Sequence, residues 1–435
     1  MDIASGQTMT EKILARASGR DTVEPGDMLI AKIDLFSSID AALFIDLFRE
    51  RNLKVWDTER VVFCFDHFFQ PEWNPYAAAT EHGRIRAFAA EQGIPPDQVF
   101  DIGRNGISHQ VPVEEGYALP GTVCVGVDTQ FATVGATNTF ALPLLYGAGA
   151  ALLTGDIWMV VPEVVRVHLT GALPRGVLGK DVGYRLLHDL GKTVNGRVIE
   201  FSGPGVASLP MDVRMGICNC AVQIGALSMV FPADEVLLDY LKPRARRPFE
   251  PMSADPDARY AATYEYDLST FECLIAGPFE IDLVRPLDAL LGTPVTAANI
   301  GSCSSGRFED LSLAAQVLKG HKIHPTVRMA VTPISARTMR QAEDAGLIKI
   351  FADAGAMVTT PGCGSCHKMN LSTIKLGEKE RCISSSVETL VGRMGAASAE
   401  IFLGNAAVVA ASAIEGRIAD PAKYLQTENR SEVNP

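Results

Sequence analysis

Three cysteines on two glycine-rich turns are the residues of this chain best suited to chemistry. Cys363 and Cys366 form a Cys-x-x-Cys within Pro361-Gly362-Cys363-Gly364-Ser365-Cys366, and Cys303 lies sixty residues upstream in Gly301-Ser302-Cys303-Ser304-Ser305-Gly306-Arg307. Three thiols on two loops suggest a ligand set, and zinc, a redox dithiol and an iron-sulfur cluster are the candidates. Structural zinc expects a second paired motif, whereas the chain offers the isolated Cys303, with His367 as the alternative fourth ligand. A redox dithiol expects a strand before it and a helix start after it. Thr359-Thr360-Pro361-Gly362 reads instead as a tight loop whose glycine amides are free to bond sulfide. The spacing therefore favours a cluster over zinc. Three thiolates with no obvious fourth would leave one iron of a four-iron cluster open to act as a Lewis acid.

The elements that must position these turns follow an α/β rhythm. Val61 to Phe65 is a continuous apolar strand ending in Asp66-His67, and Thr122 to Val127 is a β-branched strand ending in Asp128. Polar groups just past buried strands are where open α/β sheets hold ligands. Between and around them, Met28–Ile33 and Val99–Ile102 read as strands, Asp40–Asn52 as an amphipathic helix and Thr80–Gln92 as a helix. Thr10 is the expected cap of an N-terminal helix. From about Met159 the texture changes: VVRVHLTG alternates, LGKDVGYRLLHDLG is helical and RVIEFSG is again a strand. Lys242 to Asp267, rich in Pro, Arg and Asp, reads as an exposed connection. Three units are expected: 1–162 carrying Asp66-His67, His109 and Asp128; 163–265 carrying Asn219 and Gln223; and 266–435 carrying the cysteines and Arg393. Ala407–Ile414 is a small-residue helix ending at Glu415-Gly416, and the tail from Thr427 is polar.

Composition sets limits. With 435 residues, 47% hydrophobic and 21% charged, the chain is globular. A net charge of −12 argues against a nucleic-acid partner. No basic stretch followed by an apolar one opens the chain, so a cytoplasmic protein is expected. The longest apolar run, Phe140 to Leu153, is broken by a proline and two glycines and is shorter than a membrane span, so it reads as a buried segment. Nine cysteines in a reducing compartment are not a disulfide framework, and Cys64, Cys124, Cys218 and Cys220 read as core residues. Gly191-Lys192-Thr193 lacks the upstream glycine of a phosphate loop.

The two cysteine turns, with Phe308-Glu309-Asp310-Leu311 after the first, resemble the cluster loops of the aconitase superfamily, most like the large subunits of isopropylmalate and homoaconitate dehydratases. The likeness runs through Arg20 to Gly26, Asp66-His67, Gly106-Ile107-Ser108-His109-Gln110-Val111, Asp128-Thr129-Gln130, Gly135-Ala136, Gly179-Lys180-Asp181-Val182, Cys218-Asn219 and Gly392-Arg393-Met394-Gly395, all in the family's order. The resemblance implies three α/β/α domains around a [4Fe-4S] cluster held by Cys303, Cys363 and Cys366. It further implies a hydro-lyase: a dehydratase, hydratase or isomerase whose open iron takes the hydroxyl and one carboxylate of a 2-hydroxy acid. Asp66-His67 would be the acid pair at the leaving hydroxyl, and His109 with Asp128 a second pair. Arg393 would bind a substrate carboxylate, and Asn219 would contact the cluster or its ligand. The swivelling fourth domain, which in the family supplies the serine base, is expected from a separate small subunit. The runner-up is the same cluster repurposed for sulfur transfer or for iron or redox sensing.

The chain departs from the family's pattern at three positions. Asp128-Thr129-Gln130 stands where the family has Asp-Ser-His, and Gln223 stands where it has a carboxylate. These two amides are expected to face each other in place of a charged pair. Glu388 stands where the family has its first substrate arginine, a charge reversal that predicts an atypical substrate lacking one carboxylate, or carrying an amine or amide there. The competing expectation turns Glu388 outward to pair with Arg381 or Arg393. His82, His168, His188, His321 and His324 are left as surface or core residues.

Overall fold

The computed structural model describes residues 6–40, 43–67, 75–366 and 374–425. His367 and the tail from Thr427 lie outside them. A five-stranded sheet, parallel throughout, is ordered Val99–Phe100, Val61–Cys64, Leu35–Ser38, Val123–Val127, Phe140–Pro143. The chain builds outward from Leu35–Ser38 in one direction and then, after Phe100, in the other. The crevice at that reversal lies outside the carboxyl ends of the strands, where such sheets hold ligands. Asp40, Asp66-His67 and Asp128 all follow those ends.

A seven-stranded sheet repeats the arrangement. Its order is Val284–Pro286, Leu274–Ala276, Glu400–Leu403, Arg381–Ser384, Ala297–Gly301, Arg328–Thr332, Met357–Val358, parallel from Glu400–Leu403 onward. Here the reversal falls between Ala297–Gly301, which leads into Cys303, and Arg381–Ser384, which leads toward Glu388. Between the two lies a four-stranded parallel sheet of Ser228–Val230, Val198–Ser202, Val164–Thr170 and Ala262–Asp267. A two-stranded ribbon, Met28–Lys32 with Asp156–Val160, completes the sheets among the described residues. The architecture is a mixed α/β fold built largely on parallel sheets. Among the described residues no helix is long and apolar enough to cross a membrane.

Several expectations change in detail. The N-terminal helix Met9–Ser18 is capped by Thr8, not Thr10: Glu11 N donates to Thr8 Oγ1 (3.2 Å) while Thr8 N donates to Glu11 Oε2 (2.7 Å). That reciprocal box needs the acid three residues after the cap, a spacing Thr10 lacks. The helix expected over Asp40–Asn52 is confined to Ile45–Glu50. Phe140 to Leu153 is not one buried segment: a strand ends at Pro143, Leu145 and Tyr146 are exposed, and a helix opens at Ala148 after left-handed Gly147. Lys242 to Asp267 is not all connection, since Ala262–Asp267 pairs in parallel along Val164–Thr170, across the expected boundary at 265. The chain's apolar interior runs between sheets, and the small cluster of Ile107, Ile334 and Val387 encloses Cys303, Cys363 and Cys366.

Candidate active site

The carboxyl edges of the five- and seven-stranded sheets are joined by backbone. Ile107 N donates to Ile334 O (3.1 Å), Cys363 N donates to Asp66 O (3.1 Å), and Asn105 Nδ2 donates to Pro361 O (2.8 Å). Both cysteine turns need glycine to fit this seam. Gly301 has φ +116°, and a Cβ there would lie 1.9 Å from Thr332 O; Gly364 has φ +53°, with Thr332 Oγ1 at 2.4 Å from such an atom.

On the first sheet's side, two histidines share acid partners. Asp66 Oδ1 lies 2.9 Å from His67 Nδ1, and His67 N donates to Asp40 Oδ1 (2.9 Å). Asp128 Oδ2 is 3.3 Å from His109 Nδ1 and 3.8 Å from His67 Nε2. Burial opposes charge on His67, but the carboxylates of Asp66 and Asp128 outweigh it and raise the imidazole to about 10. Burial pushes Asp66 up to about 6, His67 only partly offsetting it, so the two form an ion pair at neutral pH. Asp128, although buried, is held below the usual carboxylate range by His109 and His67. Its other oxygen accepts from Gln130 N (2.8 Å), so one side chain both caps the turn that follows and faces the histidines. Asn219, at the end of helix Met211–Cys218, places Nδ2 3.1 Å from Thr133 Oγ1 and 3.4 Å from His109 Nε2.

Across the seam the three thiols are buried. A hydrogen bond from Cys363 holds Cys366 well below the ordinary thiol range against the cost of burial, and Arg393 Nη2, 3.8 Å from Cys366 Sγ, adds to the effect. The bond to Cys366 and burial push the Cys363 thiol up, and burial does the same to Cys303. Three thiols in a pocket walled by Ile107, Ile334 and Val387 are a soft donor set that fits an iron-sulfur group.

The expectations about the departures change: Arg393 stays beside Glu388, but two pairings differ. Gln130 and Gln223 do not pair: Gln130 Oε1 accepts from Thr129 Oγ1 (2.6 Å), while Gln223 Nε2 donates to Glu388 Oε1 (3.2 Å). Glu388 does not turn out to Arg381, which pairs with Glu400. It stands half-buried beside the thiols, and burial followed by the charge of Cys366 raises its carboxyl, Arg393 opposing. A carboxylate on the cysteine side captures Gln223 more strongly than a neutral amide would.

Residues that sequence reasoning left without a role also enter the site. Ser108 donates its N–H to Asp66 Oδ2 (2.9 Å) and its hydroxyl to Asp128 Oδ2 (3.2 Å). His82, left as surface or core, is buried with Nε2 3.1 Å from Asp40 Oδ2 and its ring 4.5 Å from that of Phe65. Arg307, buried, donates through Nε to Gln110 Oε1 (3.0 Å) and through Nη1 to Ser304 O (3.3 Å). Ser108 and Arg307 lie inside motifs legible in the sequence, so their signal was adjacency to His109 and Cys303. His82 carried no such signal.

Paired acids and histidines thus face three buried thiols across one sheet edge. The chain belongs to the aconitase family: the model described as "Aconitase family (aconitate hydratase)" matches residues 75–294 and 288–416. It is 39% identical over 425 residues to "3-isopropylmalate dehydratase large subunit 1" of Methanopyrus kandleri, covering 97% of this chain and 100% of that one. The large subunit of the same name from Syntrophus aciditrophicus is 40% identical over 428 residues, with 96% and 99% covered. That of Aquifex aeolicus is 38% identical over 445 residues, with 98% and 100% covered. A solved structure titled as Thermococcus kodakaraensis aconitase X is 11% identical, covers 82% of this chain and 83% of that one, and has a TM-score of 0.48.

Proposed function

We propose that the chain is the large subunit of a [4Fe-4S]-dependent hydro-lyase acting on an atypical hydroxy acid or its dehydrated product. The observation that carries this reading is the ionised Asp66–His67 pair meeting Asp128 and His109 beside three buried thiols. Cys303, Cys363 and Cys366 would hold the cluster, which when bound supplies a Lewis acid for a substrate oxygen. His67, charged at neutral pH, presents a proton for a leaving hydroxyl, and Asp66 stabilises it in that state. His109 is oriented by Asp128 on one nitrogen and by Asn219 on the other, a fixed donor-acceptor pair beside the reacting centre. Arg393 keeps its Nε buried and unpaired, a donor suited to a substrate carboxylate.

The opposite side differs. The Gln223–Glu388 pair offers acceptor oxygens, Gln223 Oε1 among them buried and unpaired. A second carboxylate would meet Glu388 there, so the substrate has an uncharged or donor group at that position. Each sheet with its helices serves as one unit, the second running through Ala262–Asp267 and so just past residue 265, with the site at their junction. A separate small subunit supplies the base that takes the carbon-bound proton, in keeping with relatives that are named large subunits. All nine cysteines are free thiols, which suits a reducing, cytoplasmic setting.

Anaerobic reconstitution followed by iron and sulfide analysis tests the cofactor, with about four irons per chain expected. A turnover panel with the small subunit tests the substrate: ordinary rates on isopropylmalate, homoaconitate and citrate would overturn the altered-substrate reading. Electron paramagnetic resonance with the same acids separates dehydration from sulfur transfer or sensing, since only a hydroxy acid that binds the open iron shifts the signal.

A further inference from the structure

The helix Gly179–Leu190 begins with Gly179-Lys180-Asp181, to which neither the thiols nor the histidines give a role. Lys180 is buried, and its Nζ has three acceptors: Ser304 Oγ (2.7 Å), Ser386 O (2.7 Å) and Ser385 O (3.2 Å). Three acceptors satisfy the three protons of an ammonium, so its hydrogen-bonding capacity is filled. The ring of Tyr184 is a further neighbour, its centroid 5.0 Å from Nζ. Ser304 follows Cys303, and Ser385-Ser386 lead into Glu388. The partners of Lys180 are thus the ligand turn and the segment that sets the substrate side. Asp181, the next residue, accepts from Leu274 N (3.0 Å) and Asn405 Nδ2 (2.7 Å), anchoring the same helix start to the seven-stranded sheet.

We infer that Lys180 is a positioning residue: a buried cation that fastens the Cys303 turn and the Ser385–Glu388 segment to one helix start, so that the thiols and Glu388 hold a fixed separation. Arg307 grips the same turn from the other side through Ser304 O, and its bond to Gln110 ties the turn to the loop of His109. Losing Lys180 leaves two carbonyls and a hydroxyl without the donor they share, and both segments loosen together. Neither the reaction nor any protonation change is needed for this role. It rests on the cluster reading only in naming what Cys303 holds.

The test compares Lys180→Met, which keeps the aliphatic stem, with Lys180→Arg, which keeps the charge. Iodoacetamide labelling of Cys303 in the full apo chain is followed by mass spectrometry at one pH, and iron retention against a chelator is followed after anaerobic reconstitution. Lys180→Met is expected to label about tenfold faster and to lose iron correspondingly faster, the size of effect for removing hydrogen bonds to a charged group, with Lys180→Arg close to wild type. If Lys180→Met is folded and matches wild type in both, or if both variants are equally impaired, Lys180 only fills space and the inference is overturned. Should Lys180→Met fail to fold, Ser304→Ala removes one acceptor and leaves the lysine in place. Faster labelling of Cys303 then supports the inference, and an unchanged rate overturns it. A wild-type chain that takes up no iron would sink the cluster reading, while the labelling comparison would still decide the role of Lys180.

Discussion

Asp128 is the carboxylate on which both histidines converge, and Asp128→Asn removes its charge while nearly preserving its shape. At 3.8 Å and an effective dielectric of about 20, its attraction to a charged His67 is about 4 kcal/mol, a ceiling because His67 keeps Asp66 as partner. Breaking a buried pair by removing one member costs about 3 kcal/mol. A loss of about 2–3 kcal/mol at neutral pH is therefore expected, read as a fall of a few degrees in the melting temperature of the apo chain. The pH dependence identifies the cause. A histidine raised from 6.5 to about 10 gives stability that is fully present below 6.5 and lost as pH rises through 10. Asp128→Asn gives up part of that stability, so its deficit against wild type is largest near pH 6 and closes toward pH 10. Circular dichroism melts of both chains across that range, always taken as the difference between them, measure the effect. A deficit that is the same at pH 6 and pH 10, or absent at pH 6, would refute the view that Asp128 acts as a counter-charge for His67.

Three further outcomes are expected. Gly301→Ala places a methyl 1.9 Å from Thr332 O at a φ of +116°, and should cost about 3 kcal/mol or more, seen as loss of soluble yield or a much lower melting temperature. Glu309 is raised to about 7 by burial and then by the charge of Asp212, so it gives stability below 4.5 that is lost as pH rises through 7. Glu309→Gln should therefore gain on wild type between pH 5 and pH 8, by about 1 kcal/mol once solvent screening is allowed for, in paired thermal melts. Glu388→Arg should lower KM for dicarboxylic hydroxy acids by about tenfold while leaving monocarboxylic ones unimproved, and equal changes for both would detach Glu388 from specificity.

The parts of the site legible in the sequence are those where one strand end carries the chemistry. Asp66-His67 and Asp128 follow apolar runs too short to be anything but buried strands, and each stands where such a strand must open into a crevice. The cysteines were legible for the same reason, since their turns break the pattern with glycine. What could not be read was the pairing of side chains brought from different sheets. Gln130 and Gln223 are compatible as a pair on chemical grounds, yet Glu388 arrives from a third segment and takes Gln223, because a charged acceptor outcompetes a neutral one. His82 reaches Asp40 from a helix with no motif around it, and nothing local marks it. Boundaries erred where the chain changes role within an apolar stretch, as at Leu145 and Tyr146, since hydropathy does not register a turn that exposes apolar residues.

Ser108 touches both carboxylates, with its amide on Asp66 and its hydroxyl on Asp128, while its own carbonyl accepts from Ser37. One residue of a short turn therefore sets the distance between the two acid–histidine pairs. The pairs have fewer independent degrees of freedom than four side chains on three loops would suggest, and a change that shifts one must shift the other. On the opposite wall Lys180 holds the backbone of the Glu388 segment, but the side chains of Gln223 and Glu388 meet through a single hydrogen bond, so variation falls more readily on those side chains. The histidine side is coupled through one residue, whereas the facing wall can change one side chain at a time.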